Sequence, residues 1–266
     1  GPYLGNKSYD EFEAKEPNEK LKKVFEKLKK QGIICHFGSW LIDGEPDTIL
    51  IDYRDFSSWG NDIKKDLWEN YKIDSLNSKF HDYDEPIIWS TAIGHLLEQV
   101  SLVYDDKKII TQCHEWMSGG AILYLKSRNI GVGTVFTTHA TMLGRTLAAN
   151  HVDLYNVLDK INPEEEAYRY NIQEKFMTER ACALSADVFT TVSEITAIEA
   201  THFFGKKPDV LLPNGLNIEK FPTFEDASIK HKHFKRKIKE FLLYYFFPYY
   251  SFDLDNTLIY FIAGRY

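Results

Sequence analysis

The sequence has 266 residues, 44% of them hydrophobic and 27% charged, and a formal net charge of −7. Those values describe a globular chain of one large domain or two small ones, and the acidic balance excludes broad nucleic-acid binding, which needs a cationic footprint. Three widely spaced cysteines, Cys35, Cys113 and Cys182, exclude a disulfide framework, suit a reducing compartment and offer no Cys-x-x-Cys zinc pair.

The opening stretch, GPYLGNKSYDEFEAKEP, has neither the charged start nor the apolar run of a secretory leader. The most apolar segment, FLLYYFFPYY at 241–250, falls short of the roughly 18 residues of a membrane span and carries Pro248.

In chain order, the spacing of Leu21, Val24, Phe25 and Leu28 predicts a helix over 18–31, ended by Gly32. IICHFGSW, WLIDGEP and DTILIDYRD are short apolar runs split by Gly and Pro and are predicted strands. Residues 86–103 are predicted helical, with Pro86 in the first turn. Strand and helix then alternate: KKIITQCHEW, a helix in MSGGAILYLKSRN, IGVGTVFTTHAT, one long helix over 164–184, ADVFTTVSE, a helix in ITAIEATHFF, and DVLLPNGLN. This alternation predicts an α/β fold whose parallel sheet is covered by helices on both faces. In such sheets ligands bind beyond the carboxyl ends of the strands. The polar strand tips all fall there: His114-Glu115-Trp116, Thr138 to Thr141, Ser193-Glu194 and Asn214 to Asn217.

After Phe221 the composition changes. IKHKHFKRKIKEF at 229–241 is a predicted basic helix, followed by an aromatic stretch and FDLDNTLIYFIAGRY. The expected division is a Rossmann-like domain over 1–221, the basic helix and aromatic segment over 222–250, and the start of a second domain over 251–266.

Each candidate site residue has a functional and a plain structural reading. His139, at a strand end, can hydrogen-bond a sugar hydroxyl or fill the core, and Arg145, six residues later, can present a planar fork to phosphate or lie on the surface. Glu115 can accept from sugar hydroxyls, and Trp116 can offer a stacking face or a buried anchor. Asn214 lies in a turn suited to positive φ. His231 and Lys235 are i and i+4 on a basic helix and share one face, where they can hold a phosphate ester or stay solvated. DLDNTL looks like the start of a haloacid-dehalogenase-type phosphatase, but the long α/β domain which that motif needs does not follow it here.

Together FGSWLIDGEP, HEW, VFTTHATMLGR, ERACALSADVFTTVSEITAIEA, LLPNGLN and FDLDNTLIYFIAGRY resemble the glycogen synthases of animals and fungi, in order and spacing, over nearly the whole chain. The resemblance implies two Rossmann-like domains facing across a cleft, the GT-B arrangement, of which this chain is the amino-terminal, acceptor-side half. It implies retaining transfer of glucose from UDP-glucose to an α-1,4-glucan, with no cofactor and no metal. His139 then contacts the donor glucose, Arg145 lines the active site, Asn214 lies near the sugar, Glu115 is on the acceptor side and Arg265 binds the donor diphosphate. His231 and Lys235 match a glucose-6-phosphate-sensing helix. Glycogen, glycogenin and further copies of the full-length chain are the implied partners, in the cytoplasm, with neither nucleic acid nor membrane. Two positions depart from the family: Ser39 stands in its FGRW, and Ser228 stands where the sensing helix has glutamine. The family's Lys-Val-Gly-Gly segment, its lysine after AGRYE and its glutamate pair lie outside this sequence, so the chain alone is expected to be inactive. The alternative is a binding module for glucan or glycogenin.

Overall fold

A computed structural model describes residues 10–78, 81–251, 253–254 and 256–260. The chain divides into two compact units, Gly1–Pro213 and Asn214–Tyr266.

The first unit opens with β1 (Phe12–Ala14) and α1 (Glu19–Lys29). Asn18 caps α1 by accepting from the Leu21 amide at 3.0 Å, Glu19 and Lys29 complement its dipole, and Val24 and Leu28 are buried. Gly32 follows at φ 85°, where an added Cβ would lie 2.9 Å from the Phe56 amide, so both conformation and space demand glycine. β2 (Ile34–Trp40) then pairs antiparallel with β1 and with β3 (Asp47–Asp52). The three predicted strands of this region are therefore two. WLIDGEP supplies the hairpin connection, closed by the Trp40 amide donating to Pro46 O at 3.1 Å, and leaves Leu41 and Ile42 exposed.

A short 3-10 turn, Asp55–Trp59, leads into α2 (Gly60–Tyr71), and α3 (His81–Val103) follows. Helix α3 begins five residues before Pro86, which lies inside it and not in the first turn. The parallel sheet comprises β4 (Ile110–His114), β5 (Gly133–Thr138), β6 (Val188–Thr191) and β7 (Val210–Leu211), in that spatial order. Its crossovers carry α4 (Gly119–Ser127), α5 (Met142–Ala149), α6 (Leu154–Val157), α7 (Pro163–Arg169), α8 (Gln173–Ser185) and α9 (Glu194–Phe204). The long helix expected over 164–184 is two: α7 ends at Arg169, Asn171 adopts φ 54°, and α8 starts afresh. Successive strand residues point to opposite faces, and Phe136, Thr137 and Thr138 of β5 are all buried, as are Phe189, Thr190 and Thr191 of β6. Both faces of the central strands are therefore covered, and the sheet is Rossmann-like. Phe136 and Phe189 stack across neighbouring strands, and Phe204 packs on Phe189. Each such ring contributes roughly 1.5–3 kcal/mol by burial.

The second unit contains a 3-10 turn, Ile218–Lys220, and α10 (Phe224–Tyr245). Thr223 caps α10 by accepting from the Asp226 amide, and none of the helix's residues is buried. Among the described residues no helix is long and apolar enough to cross a membrane.

Candidate functional site

Three of the expected residues meet at the carboxyl ends of β4 and β5. Glu115 follows β4 at φ 63°, ψ 163°, a region held almost wholly by glycine, at a cost of roughly 1–3 kcal/mol that the surrounding bonds must offset. Its amide donates to Thr137 O at 2.9 Å, so the turn is tied to β5 before the side chain acts. Its Oε1 accepts from the His139 amide at 2.9 Å, from the Ala140 amide at 3.4 Å and from the Arg145 guanidinium at 3.0 Å. One largely buried carboxylate oxygen thus fixes the loop carrying His139 and anchors the half-exposed Arg145.

His139 Nε2 lies 2.9 Å from His114 Nδ1, with the rings tilted 33°. Burial, then the neighbouring His139, push His114 below its ordinary value, so it stays neutral near pH 7. One proton serves this contact. If His114 donates it, His139 carries its own proton on Nδ1 and offers a donor to a ligand; the His114 tautomer thereby sets the role of His139.

Two further acidic side chains hold the same loop. Glu179 of α8 is fully buried and accepts from Thr138 Oγ1 at 2.5 Å and from the Met142 amide at 2.8 Å. Burial pushes its carboxyl up to about 8. Glu199 of α9 accepts from Thr141 Oγ1 at 2.8 Å and from Tyr155 Oη at 2.7 Å. Thr141 also caps α5, accepting from the Gly144 amide at 3.0 Å. Gly144 has no freedom to be larger: a Cβ there would collide with Glu199 Oε2 and Thr141 Oγ1. Sequence reasoning gave neither glutamate a role, nor His114, although their motifs were visible. A charged residue inside a helix normally signals solvent.

Trp116 does not face a ligand. It is 7% exposed and stacks on Tyr83 at 5.7 Å, so the buried-anchor reading holds and the sugar-stacking one does not. Ser39 is likewise buried and accepts from Lys15 Nζ at 2.6 Å. Cys35, Cys113 and Cys182 are free thiols; burial pushes the first to about 12 and the second to about 11, values that make them unreactive. Asn214 begins the second unit, and His231 and Lys235 lie exposed on α10. Arg265 lies outside the described residues, as do Phe252 and Asp255 of the DLDNT stretch. Among the described residues no group of three His, Cys, Asp or Glu could hold a metal ion.

The arrangement is a strand-edge platform of His139 and Arg145 on a loop held by acidic side chains that are themselves hydrogen-bonded, and in the tautomer in which His114 donates, His139 adds a second donor to that of Arg145. Such preorganised donors favour a substrate that develops negative charge as it reacts. The family description "Glycogen synthase" matches residues 1–266. The chain is 40% identical over 270 residues to the liver glycogen [starch] synthase of Homo sapiens, covering 100% of this chain and 38% of that protein. It is 42% identical over 240 residues to isoform 2 of Saccharomyces cerevisiae, covering 90% and 34%, and 39% identical over 267 residues to the Neurospora crassa enzyme, covering 100% and 38%. The chain thus spans well under half the length of these relatives.

Proposed function

Because the chain belongs to the glycogen synthase family, we propose that it forms the acceptor-side half of the cleft in which glucose passes from UDP-glucose to a glucan end, with retention. The observation that supports this most is the convergence of His139 and Arg145 on Glu115 at the carboxyl edge of the parallel sheet. In this reading the His139 imidazole hydrogen-bonds the donor glucose. The Arg145 guanidinium stabilises negative charge as UDP departs, and Glu115 holds that guanidinium and the His139 backbone amide, so that little reorganisation is needed at that moment. Asn214 and Arg265 are assigned to the sugar and the diphosphate. The remainder of the protein supplies the facing half of the cleft, so the 266-residue chain alone transfers no glucose.

His139→Ala in the full-length protein is expected to lower kcat at least a hundredfold and leave the unfolding midpoint unchanged, roughly the loss of one preorganised donor. Near-normal incorporation of labelled glucose into glycogen would overturn the assignment. His231 and Lys235 are assigned to glucose-6-phosphate, a charge-matched ligand for a basic helix face. Lys235→Ala is expected to blunt activation by that ester more than it lowers basal rate; superimposable activation curves would remove α10 from this role.

A further inference from the structure

The segment formed by α6 and the 3-10 turn after it, Leu158–Lys160, is tied to α9 by side chains. Leu154 and Leu158 are buried and seat the segment. Beside them, Tyr155 Oη donates to Glu199 Oε1 at 2.7 Å, and Asp159 Oδ1 lies 2.7 Å from His202 Nε2. Glu199 and His202 are i and i+3 on α9, so both links leave one face of that helix.

The first link leads on toward the site. Glu199 is largely buried, and its Oε2 accepts from Thr141 Oγ1 at 2.8 Å. Each carboxylate oxygen thus has a hydroxyl partner, Tyr155 on one side and Thr141 on the other. Thr141 in turn receives the Gly144 amide on Oγ1 at 3.0 Å and the Arg145 amide on its carbonyl oxygen at 3.0 Å. An unbroken run of hydrogen bonds therefore leads from Tyr155 Oη to the first turn of α5, which carries Arg145.

The Tyr155 ring is 60% exposed, which leaves the hydroxyl as its firmest hold on the fold. The hydrogen bond to Glu199 pushes the phenol up to about 12, so Oη keeps its proton and donates at physiological pH. Among the described residues Glu199 Oε1 has no other donor. Without Tyr155 Oη, a carboxylate in a largely buried place must turn or recruit water. Turning moves Oε2, and Thr141 with it.

We propose that Tyr155 is a positioning residue for the segment that carries His139 and Arg145: through Glu199, its hydroxyl fixes Thr141 and so the place of the Arg145 guanidinium. This inference rests on the role given to Arg145 above.

Two measurements test it. In the chain carrying isotope-labelled arginine, Tyr155→Phe is expected to shift the Arg145 Nε–Hε resonance. Tyr168→Phe, which removes a hydroxyl bonded to Asp74 and not to Glu199, should leave it in place. In the full-length protein, assayed well below its unfolding midpoint, Tyr155→Phe is expected to lower kcat and kcat/KM together by about tenfold, the change that one hydrogen bond to a charged group supports. In a Glu199→Ala background the same substitution should cost nothing further. The proposal fails if the Arg145 resonance does not move, if Tyr155→Phe turns over at the wild-type rate while Arg145→Ala does not, or if its effect is undiminished in Glu199→Ala. Normal turnover by Arg145→Ala would instead remove the role assigned to Arg145, and the resonance would still decide whether Tyr155 positions it. Neither the resonance nor the single-variant rate depends on Glu199→Ala folding.

Discussion

Helices α4 and α10 are made in opposite ways. Helix α4 starts with Gly119 and Gly120, the poorest formers after proline, yet seven of its nine residues are buried. The glycines are there for proximity: a Cβ at either would collide with Cys182 Sγ or with Ser90 Oγ. Helix α10 has 22 residues, a Thr223 cap, acidic residues in its first turn and an Arg236–Glu240 pair one turn apart, and none of its residues is buried. Local sequence writes α10; packing writes α4 against its local preference. The first unit is thus held together by its interior, and the second unit's helix by its own backbone and caps.

That contrast can be broken most forcefully at Gly120. In an ordinary helix interior Gly→Ala stabilises by roughly 0.5–1 kcal/mol. Here Gly120→Ala is expected to destabilise by about 1–3 kcal/mol, because the new methyl must displace Ser90. Urea denaturation gives the sign directly, and a stabilised variant would show that α4 is not packing-dictated.

A second test concerns the interior carboxylate. Glu179 has a folded-state value near 8, raised above that of a free glutamate by burial, so the folded state keeps its proton while the unfolded chain loses it. Stability attributable to this group is therefore complete below about pH 4, falls as pH rises, and levels off above about 8. Glu179→Gln retains an acceptor for the Met142 amide and a polar partner for Thr138, and cannot ionise. Its unfolding midpoint should be flatter than the wild type's between pH 5 and 8; parallel profiles would show that Glu179 is ionised in place.

The smallest effect is expected in α10. Thr223→Ala removes a cap worth about 1 kcal/mol to the helix. It should lower the helicity of a peptide spanning residues 222–246 and leave the unfolding midpoint of the first unit unchanged. A shift in that midpoint would mean that the two units do not melt independently.

The sequence carried the alternation of strands and helices and the gathering of polar residues at strand ends, because both follow from period and position alone. His139, Arg145 and Glu115 were legible for that reason. Other features were hidden by physics that no window of sequence contains. Leu41 and Ile42 look like strand residues but turn a hairpin in solvent. Asn171 breaks a helix with no Gly or Pro to announce it. Pro86 lies inside a helix that starts five residues earlier, at His81. Glu179 and Glu199 carry no local signal of their role, which appears only when the fold brings Thr138 and Thr141 onto them.

The order β4-β5-β6-β7 in space is also the order of those strands in the chain. During synthesis, each strand of this sheet leaves the ribosome after the neighbour it must pair with, so the sheet can grow from one edge without waiting for a later segment to be inserted between strands already made. The donor loop at His139 follows the second of these strands, but its two supporting glutamates, Glu179 and Glu199, are synthesised later. On a growing chain the loop therefore exists before its supports do, and it acquires its final geometry only when α8 and α9 arrive.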